Sequence, residues 1–569
     1  MHMPWLLFEF RNTQGTIERL CFREPVKVLC TETLSEVRPL LREVQDWTRQ
    51  GFYAAGYLAY EAAQAFDPAL PEGKPCQMPL LWFGIFEFPS PAPQFPESSK
   101  AISLPWRTQL SEEDYQQNIA HLKKWITEGE TYQANYTLRL TAPFTGHPFH
   151  YYQQLTRAQK GDYSAFLDLG RFQILSASPE LFFHWDGQKI TTRPMKGTAP
   201  RGRFLEEDDL QRQFLKTSEK NRAENLMIVD LIRNDLSRIA IPGSVKVSKL
   251  FEVEKYQTLW TMTSTIQAET HPGTQLEDIL EALFPCGSIT GAPKISTMHL
   301  LSRLESSARQ VYCGAIGYLT PEGEAIFNVP IRTVITDDEL EQAEYGVGGG
   351  ITWDSDPSDE YQEVLTKSLL LTYQQPQFSL VETLHLQEGQ YPLVREHINK
   401  MIKSARYWGY PEDAQTMYEV LYFTSEQHPE GEWLVDLHLD SSGEVQTQIR
   451  AFPAEPLPFR VADEPLLELD TLHFHRTQQN LDEELLLLYH DDGLIAQFNQ
   501  GNLVAKLGEE LFTPVLEDRW LTCPMLIQLL KTEQVQEIPM SLDWLAEHPE
   551  AQFFLADHAL VPVRFAWNS

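Results

Sequence analysis

Apolar residues alternate between strand-like and helix-like patterns through the first two thirds of the chain. Short apolar runs separated by turn residues occupy the start of the chain and end in the proline- and serine-rich stretch 89–99. These runs predict β-strands, and the stretch predicts a surface loop. Ser111 is followed by acids and then by apolar residues at helical spacing, which predicts a helix. Residues 218–239 are apolar on nearly every side in their middle, which is typical of a buried helix.

The apolar pattern starts again after Leu370. Residues 372–378 are polar with a single proline, and a new series of apolar runs begins at Ser379. A chain of 569 residues is too long for one hydrophobic core. We therefore predict a domain over 1–372, a linker over 373–378 and a second domain over 379–569.

Charge and cysteine usage narrow the class of protein. Lysine and arginine total 46 against 80 acidic residues, a net charge of −34. This charge repels phosphate backbones, so we expect no nucleic-acid partner. The six cysteines are scattered without metal-ligand spacing, which fits a reducing compartment. No apolar stretch reaches the length of a membrane span, so we expect a cytoplasmic protein with no membrane partner.

Four segments combine turn residues with isolated charges. Taken singly, such features are more often structural than functional, because acids at helix starts pair with the helix dipole and glycine turns are common. Two of the glutamates are three apart and share a helical face. The segments are SASPELFF with Glu180, NRAENLMIVDLIRND with Glu224, CGSITGAPK with Lys294, and GVGGGITWDSDPSDEYQEV with Glu360 and Glu363.

Together with further stretches, these segments resemble the chorismate-binding enzymes, the family of anthranilate, aminodeoxychorismate and isochorismate synthases. The resemblance implies an α+β domain with large antiparallel sheets packed as a sandwich and helices outside. The stretch GFYAAGYLAYEAAQAFD resembles the shorter aminodeoxychorismate synthases in particular. The other matching stretches, in family order, are SASPELF, PMKGT, RAENLMIVDLIRNDLSRI, LFPCGSITGAPK, CGAIGYL, FNVPIRT and GVGGGITWDSDPSDEYQE.

The resemblance implies roles for the four glutamates. Chorismate is a dicarboxylate that loses a hydroxyl from C4. Mg²⁺ with oxygen ligands suits its ring carboxylate, and the family motif places Glu224 and Glu363 as ligands with Glu360 beside them. Hydroxide is a poor leaving group, and by resemblance Glu180 is the acid that protonates it. The apolar residues 181–183 next to it favour a protonated carboxyl.

The second carboxylate of the substrate requires a cation and backbone donors. The resemblance implies that Arg332 and Lys294 supply the positive charge, and a guanidinium suits bidentate capture of a carboxylate. Tyr318 is expected to line the same site. The remaining predicted substrate contacts are Thr198, Thr290, Gly291, Gly348 and Gly349.

The family divides at the position of Lys196. Anthranilate and isochorismate synthases have a small residue there, whereas aminodeoxychorismate synthases have lysine. The implied chemistry is nucleophilic: the Lys196 amine attacks ring C2 as the C4 hydroxyl leaves, and ammonia then attacks C4 and expels the lysine. Burial or a nearby cation must free this amine at neutral pH. A charge-balancing lysine is the alternative role, and anthranilate synthase is the alternative activity.

The source of ammonia is not evident in this chain. A class I glutaminase requires a Gly-x-Cys-x-Gly elbow, and none of the cysteines lies in one. We therefore expect a separate glutamine amidotransferase subunit, or the use of free ammonia.

Residues 379–569 resemble aminodeoxychorismate lyases of the fold-type IV pyridoxal-phosphate class, a smaller α+β fold. The matching stretches are SLVETLHLQEGQYPLVREHINKMIKSARYWGY, GNLVAKLGEELFTP and FFLADHALVPV. The cofactor positions depart from the pattern: Arg476 replaces the aldimine lysine, Gln497 the pyridine-nitrogen glutamate and Lys400 the phosphate-binding arginine. The late phosphate turn is replaced by WLTCPML. We therefore expect no bound pyridoxal phosphate.

Two interpretations of this second domain remain. It is either a non-catalytic interaction module, since the fold usually dimerises, or an enzyme with a rebuilt site that uses Lys506. The second interpretation would make the chain a bifunctional synthase and lyase.

Overall fold

The chain divides into two compact units. The structure is a computed structural model that describes residues 3–12, 14–91, 102–373, 378–466, 484–516 and 522–565. The first unit comprises Met1–Arg201 with Gln211–Gln375, and the second comprises Gly202–Leu210 with Pro376–Ser569. The boundary between Gln375 and Pro376 lies inside the linker over 373–378 that the sequence predicts.

The short segment 202–210 is a part of the second unit that the sequence does not predict. Within that unit, the hydroxyl of Tyr407 donates to the carbonyl of Gly202 at 2.6 Å. Lys403 pairs with Glu206 at 2.5 Å. These contacts explain why residues 202–210 belong to the second unit, although they are far in sequence from its main part, which starts at Pro376.

The first unit contains long strands and peripheral helices. Its strands are β1 (Trp5–Arg11), β2 (Ile17–Arg23), β3 (Lys27–Thr31), β4 (Tyr53–Leu58), β5 (Leu81–Phe86), β6 (Arg107–Thr108), β7 (Gln133–Pro143), β8 (Tyr163–Asp168), β9 (Phe172–Ser178), β10 (Leu181–Trp185), β11 (Lys189–Arg193), β12 (Met195–Pro200), β13 (Lys246–Lys255), β14 (Leu259–Glu269), β15 (Gly291–Ala292), β16 (Ala315–Leu319), β17 (Ala325–Asn328), β18 (Thr333–Asp337) and β19 (Gln342–Ile351). The α-helices up to residue 373 are α1 (Leu34–Arg49), α2 (Glu112–Thr127), α3 (Pro148–Gln159), α4 (Leu205–Thr217), α5 (Glu219–Ser237), α6 (Leu276–Leu283), α7 (Lys294–Leu304) and α8 (Pro357–Ser368).

These strands form two large antiparallel sheets. In the described part of the chain, one sheet has the order β15-β7-β19-β18-β9-β8-β1-β2, with β6 beside β7. The other has the order β12-β14-β11-β10-β17-β16-β4-β5-β3, with β13 beside β14. An apolar core joins them face to face, with Phe8 and Ile174 from the first sheet and Tyr57 and Ile316 from the second. The predicted sandwich is therefore confirmed.

Helices cover the outer faces of both sheets. Buried residues of α1, α5 and α6 share one core with the second sheet, and those of α2, α3 and α8 share another with the first sheet. Two of these helices begin at capping serines, and the sequence predicts the one at Ser111. Ser111 accepts a hydrogen bond from the backbone amide of Asp114, and Ser218 accepts one from that of Asn221. The cap at Ser218 fixes the start of α5, which carries Glu224.

The second unit is also α+β, with two smaller sheets. Strands β20 to β22 form an antiparallel sheet that packs on α9 and α10, and the other strands form a mixed sheet of order β25-β24-β23-β30-β29-β26-β27-β28 in the described residues. The elements are β20 (Leu380–Gln387), α9 (Val394–Trp408), α10 (Ala414–Gln427), β21 (Glu432–Leu439), β22 (Val445–Ala451), β23 (Leu457–Val461), β24 (Leu486–Tyr489), β25 (Ile495–Phe498), β26 (Asn502–Leu507), β27 (Glu510–Pro514), α11 (Pro524–Lys531), β28 (Gln536–Ile538), α12 (Leu542–Glu547), β29 (Gln552–Ala556) and β30 (Leu560–Phe565). Across all described residues, no helix has the length and apolar character needed to cross a membrane.

Candidate active site

A cavity of about 440 Å³ in the first unit, here called the main cavity, brings the predicted catalytic residues together. Its volume lies within the range of about 300–1,000 Å³ that is usual for small-molecule sites. The exposed residues Phe214 and Lys220 stand at its border and mark its opening to solvent. The predicted residues that line it are Glu180, Lys196, Thr198, Glu224, Arg332, Gly348, Glu360 and Glu363.

Glu180 lies between β9 and β10 and is 1% exposed. Its carboxylate accepts a hydrogen bond from the Ser288 hydroxyl at 2.6 Å. Burial raises the pKa of Glu180 to about 7, against the opposing effects of Ser288 and Lys196. A carboxyl group with this pKa holds its proton near neutral pH, which is what a general acid requires.

Lys196 is directed into the cavity by an irregularity in β12. The register between β12 and β14 shifts between Met195 and Thr198, and Gly197 has a φ of +99°, which favours glycine. The backbone carbonyl of Lys196 accepts a hydrogen bond from the side-chain amide of the buried Asn225 at 3.2 Å. These features fix the backbone from which the side chain projects.

The Lys196 amine of this half-buried residue lies against a glycine of β19. A side chain at Gly350 would collide with Lys196 Nζ, so this position must lack a Cβ for the amine to lie where it does. Among the described residues the amine has no hydrogen bond or ion pair. Burial lowers the pKa of Lys196, whereas Glu224 acts in the opposite direction. This is the direction that increases the nucleophilic neutral form.

Gln133 is a site residue that the sequence reasoning missed. The point at which a Gly350 Cβ would lie is 2.5 Å from Gln133 Nε2 and even nearer to Lys196 Nζ, so the amide and the amine are neighbours. Gln133 is 1% exposed, and both of its amide atoms lack a partner in the described structure. A buried unpartnered amide carries a free-energy cost and is a feature of functional sites. The only sequence signal is a polar residue at the start of an apolar strand.

The acidic side of the cavity is formed mainly by α8. Glu360 accepts a hydrogen bond from Ser355 at 2.6 Å through one oxygen, and its other oxygen is buried without a partner in the described structure. Burial and the adjacent Glu363 raise the pKa of Glu360 to about 7. Lys367 Nζ lies 2.5 Å from Glu363, and although burial opposes it, this ammonium holds the pKa of Glu363 below its usual value. Burial raises the pKa of Glu224.

These carboxylates are grouped but do not form a closed metal site. Within the described residues, no three His, Cys, Asp or Glu side chains lie close enough together to hold a metal ion. The unpartnered Glu360 oxygen and the carboxylates of Glu224 and Glu363 are oxygen ligands of the kind that a hard divalent cation prefers, but in this arrangement they are too far apart to enclose one without movement or ligands from a bound substrate. Lys367 is a further site residue that the sequence reasoning missed. Its spacing of four residues from Glu363 on α8 was the available signal.

Arg332 lines the cavity in a strained backbone conformation. Its φ is +55°, which is unusual for a residue with a side chain. One guanidinium nitrogen donates to the carbonyl of Lys367, and the Tyr345 hydroxyl donates to the same carbonyl at 3.2 Å. The strain places a cation at the border of the cavity, where it can bind a carboxylate.

Tyr318 lies elsewhere, and its predicted position in the site is wrong. Strand β16 directs the Tyr318 ring into the core between the two sheets. The ring contacts Phe8, Phe10 and Phe22, with centroid separations of 5.4, 5.7 and 6.3 Å. Tyr345 borders the main cavity instead.

Four other predicted contacts also lie outside the cavity lining. Lys294 forms an ion pair with Asp235 at 2.8 Å at the start of α7, so its charge is already neutralised. Thr290 and Gly291 are buried beside β7, where the carbonyl of Thr290 accepts the amide of Asn135. Gly349 does not line the cavity, although a Cβ there would lie 3.0 Å from a Glu360 oxygen.

The described cofactor-related positions of the second unit are occupied by internal contacts. Lys400 lies 3.0 Å from the buried Glu382. Gln497 accepts a hydrogen bond from Asn502 at 3.3 Å. Arg476 lies outside the described residues.

Two further positions of the second unit were considered from the sequence: the stretch that replaces the phosphate turn, and Lys506. Cys523 Sγ accepts the amide of Leu526 at the start of α11, inside the stretch that replaces the phosphate turn. Lys506 lies 3.7 Å from the exposed Glu509.

The sandwich fold and the main cavity, with its grouped charged side chains, are those of a protein with a small-molecule site, and comparison with known proteins identifies the family. The model of the chorismate binding enzyme family matches residues 9–372. The chain therefore belongs to the chorismate binding enzymes.

Individual relatives agree with the family and include two activities. Over 266 residues the chain is 41% identical to the aminodeoxychorismate synthase component 1 of Klebsiella aerogenes, covering 47% of this chain and 58% of that protein. It is 38% identical over 266 residues to an anthranilate synthase component 1 of Haloarcula marismortui, covering 47% and 54%. These matches span little more than half of the relatives' length.

A solved structure supports the fold of the first unit. The crystal structure of anthranilate synthase component I from Streptococcus pneumoniae superposes with a TM-score of 0.53 at 25% identity. The superposition covers 65% of this chain and 90% of that one.

Proposed function

We propose that the first unit converts chorismate and ammonia to 4-amino-4-deoxychorismate and water. The observation that carries the proposal is the amine of the half-buried Lys196, which is unpaired in the described structure, has a lowered pKa and lines the same cavity as Glu180. A lysine that only balanced charge would be expected to pair with one of the cavity carboxylates. The Lys196 amine has no such pair among the described residues.

The residues of the cavity suit a two-step displacement. The neutral Lys196 amine attacks C2 of the ring, the double bond shifts, and the C4 hydroxyl leaves with the proton of Glu180 as water. Ammonia then attacks C4, the double bond shifts back, and the C2–nitrogen bond to Lys196 breaks. Overall an amino group replaces the hydroxyl at C4, Lys196 is released as the neutral amine, and the third proton of the attacking ammonia returns to Glu180.

Binding of the substrate is assigned to the two sides of the cavity. Glu224, Glu360 and Glu363 would hold Mg²⁺, which supplies a positive charge for the ring carboxylate when it is bound. Arg332 would bind the second carboxylate through its guanidinium. Thr198 supports the arrangement, because its hydroxyl donates to Glu363 at 3.3 Å.

The competing activity is anthranilate synthesis, because relatives with both names match this chain. The test is product analysis after incubation with chorismate, Mg²⁺ and ammonium, with and without an added aminodeoxychorismate lyase. We expect 4-aminobenzoate only when the lyase is present. Anthranilate as the main product would overturn the proposal.

Ammonia would be supplied by a glutamine amidotransferase subunit. The name component 1 of the Klebsiella aerogenes relative supports a two-component arrangement. The sequence of this chain has no glutaminase elbow of its own. Glutamine alone should therefore support no turnover by the purified chain, whereas ammonium should.

The second unit is proposed to be a non-catalytic module that can form a homodimer. The ion pair between Lys400 and the buried Glu382 supports this role, because it removes a cation from the position expected to bind phosphate. Gln497 offers no charge to a pyridine nitrogen. Sedimentation of the full chain tests the dimer.

A further inference from the structure

The turn between α6 and α7 contains a buried thiol that none of the steps proposed above uses. Cys286 is 4% exposed. Its Sγ lies 3.2 Å from the hydroxyl oxygen of Ser288. The same Ser288 hydroxyl donates to Glu180 at 2.6 Å. Cys286, Ser288 and Glu180 therefore form a continuous chain of hydrogen bonds that ends at the proposed acid.

Close packing fixes the turn that carries the first two members of this chain. A Cβ at Gly287 would collide with a methyl group of Leu231 on α5, so the turn approaches that helix as closely as a glycine allows. The hydroxyl of Thr290 donates to the carbonyl of Cys286 at 3.3 Å. Cys286 and Ser288 are therefore held on a backbone that has little room to move.

The backbone of Glu180 is held as well. Its amide donates to the hydroxyl of Ser178 at 3.2 Å, and its carbonyl accepts the amide of Val329 at 3.0 Å. Two fixed segments therefore set the distance that the Ser288 hydroxyl spans between the thiol and the carboxyl.

The chain of hydrogen bonds has a defined direction. A hydroxyl carries one hydrogen, and the hydrogen of Ser288 is donated to Glu180. The bond between Cys286 and Ser288 must then use the hydrogen of the thiol. Burial raises the pKa of Cys286 to about 12, so the thiol keeps this hydrogen near neutral pH. A donor behind Ser288 polarises its hydroxyl and strengthens the bond to Glu180.

This direction matters at the step in which Glu180 gives its proton to the leaving hydroxyl. Glu180 then becomes a carboxylate, and hydrogen bonds donated to a carboxylate favour its charged form. Lys196 and the amide of Met195 act on the carboxyl in the same direction, and Tyr256 is a further titratable group near it. The variants described below leave these three groups unchanged.

We propose that Cys286 is a positioning residue that acts through Ser288 to tune the acidity of Glu180. Its meaning for catalysis rests on the proposed function, whereas the link between the thiol and the carboxyl is a property of the free protein. The segment CGSITGAPK thereby acquires a role at the acid, although its predicted substrate contacts lie outside the lining of the main cavity.

Infrared spectroscopy of the free protein tests the link directly, because other protein groups leave the region of the S–H stretching band clear. The band of Cys286 is the one lost in Cys286→Ala, and it is followed while the protein is titrated through the pKa of Glu180, which is about 7. We expect the band to shift to lower frequency as Glu180 ionises, and to stay fixed in Glu180→Gln and in Ser288→Ala. Cys21→Ala is the matched control, because Cys21 is a buried thiol on β2 outside the lining of the main cavity, and its band should not move.

The pH profile of kcat/KM for chorismate, at saturating ammonium with Mg²⁺, tests the effect on acidity. Cys286→Ala removes the donor behind Ser288 and destabilises the carboxylate, so the alkaline midpoint should rise by about 0.3 pH unit. Cys286→Ser introduces a hydroxyl, which is a stronger donor than a thiol, and the midpoint should fall by a similar amount. Neither substitution should move the midpoint in the Ser288→Ala background.

Opposite shifts from two substitutions of one buried thiol are not expected of a residue that only fills space. The inference is overturned if the Cys286 band ignores the ionisation of Glu180, if the two midpoints move in the same direction, or if the shifts persist without the Ser288 hydroxyl. If the protein forms no 4-amino-4-deoxychorismate, the proposed function fails, and the infrared titration still decides whether Cys286 is coupled to Glu180.

Discussion

The Lys196 amine occupies the space in which a side chain at Gly350 would begin. The two residues lie on different sheets, β12 and β19, so the contact joins the two halves of the sandwich at the site. Gly350→Ala should therefore displace the amine and reduce kcat. The cost in stability should lie below the about 1–3 kcal/mol of core overpacking, because Lys196 Nζ and Gln133 Nε2 are the ends of flexible side chains that can shift.

A double-mutant cycle measures this relationship. The variant Lys196→Ala removes the amine with which the new methyl group would collide, so Gly350→Ala should cost less stability in that background. Denaturant unfolding of the four proteins gives the coupling free energy. Additive costs would show that the two residues do not compete for the same space.

Lys196→Ala should reduce formation of 4-amino-4-deoxychorismate by at least about a hundredfold, because the C2 nucleophile is lost. Binding of chorismate should persist, since the substrate carboxylates are assigned to Arg332 and the acidic side. Direct attack of ammonia at C2 then becomes the available route, so residual product should shift toward the anthranilate type. Chromatography of the products checks this, and a variant with wild-type turnover would exclude a nucleophilic role.

The pH dependence of activity should report Glu180. Its pKa of about 7 means that the acid form needed to protonate the leaving hydroxyl is lost as the pH rises through 7. The value of kcat/KM should therefore fall on the alkaline side with a midpoint near that pH. Glu180→Gln should be nearly inactive at every pH. A profile that is flat between pH 6 and 8.5 would argue against Glu180 as the acid.

The same pKa predicts an effect on stability. An unfolded glutamate has a pKa of about 4.3, so the folded protein binds this proton more tightly and its free energy of unfolding falls as the pH rises from about 4.3 to about 7. Glu180→Gln removes this contribution. The variant should be more stable than the wild type at pH 8, by on the order of 2–3 kcal/mol, and should lose the advantage near pH 4. Thermal unfolding at the two pH values measures it.

Metal dependence should involve the acidic side of the cavity. Chelator should abolish activity and Mg²⁺ should restore it, and Glu363→Gln should raise the Mg²⁺ concentration needed for half-maximal rate. Glu113→Gln is a control, because Glu113 is exposed on α2 and is absent from the lining of the main cavity. Full activity in excess chelator would contradict the assignment.

The sequence was a good guide to the elements and a partial guide to the site. Capped helices follow from local patterns, but the order of strands in each sheet depends on long-range pairing that no local pattern encodes. The prediction that α5 is buried on nearly every side was wrong, because one face packs in the core while Leu226, Asp230 and Arg233 are exposed.

The motif PMKGT led to the prediction that Lys196 is a site residue, and Lys196 lines the main cavity. The prediction that Tyr318 lines the site was wrong. Its motif belongs to the family pattern, but strand β16 directs the ring into the core between the two sheets. Gln133 is recognised as a site residue only from the structure, where its buried side-chain amide has no partner among the described residues.

The second unit gives the last prediction. An aldimine requires a lysine amine, and Arg476 cannot provide one because a guanidinium stays protonated. The cation at Lys400 is paired with Glu382, and the Gln497 oxygen is already bonded to Asn502. These are separate losses, so Arg476→Lys alone should not restore pyridoxal-phosphate binding. The purified protein and this variant should both show no aldimine absorbance after incubation with the cofactor, and the protein without added lyase should release no pyruvate from aminodeoxychorismate. A yellow wild-type protein that borohydride labels on a lysine after residue 378 would show instead that the chain is bifunctional.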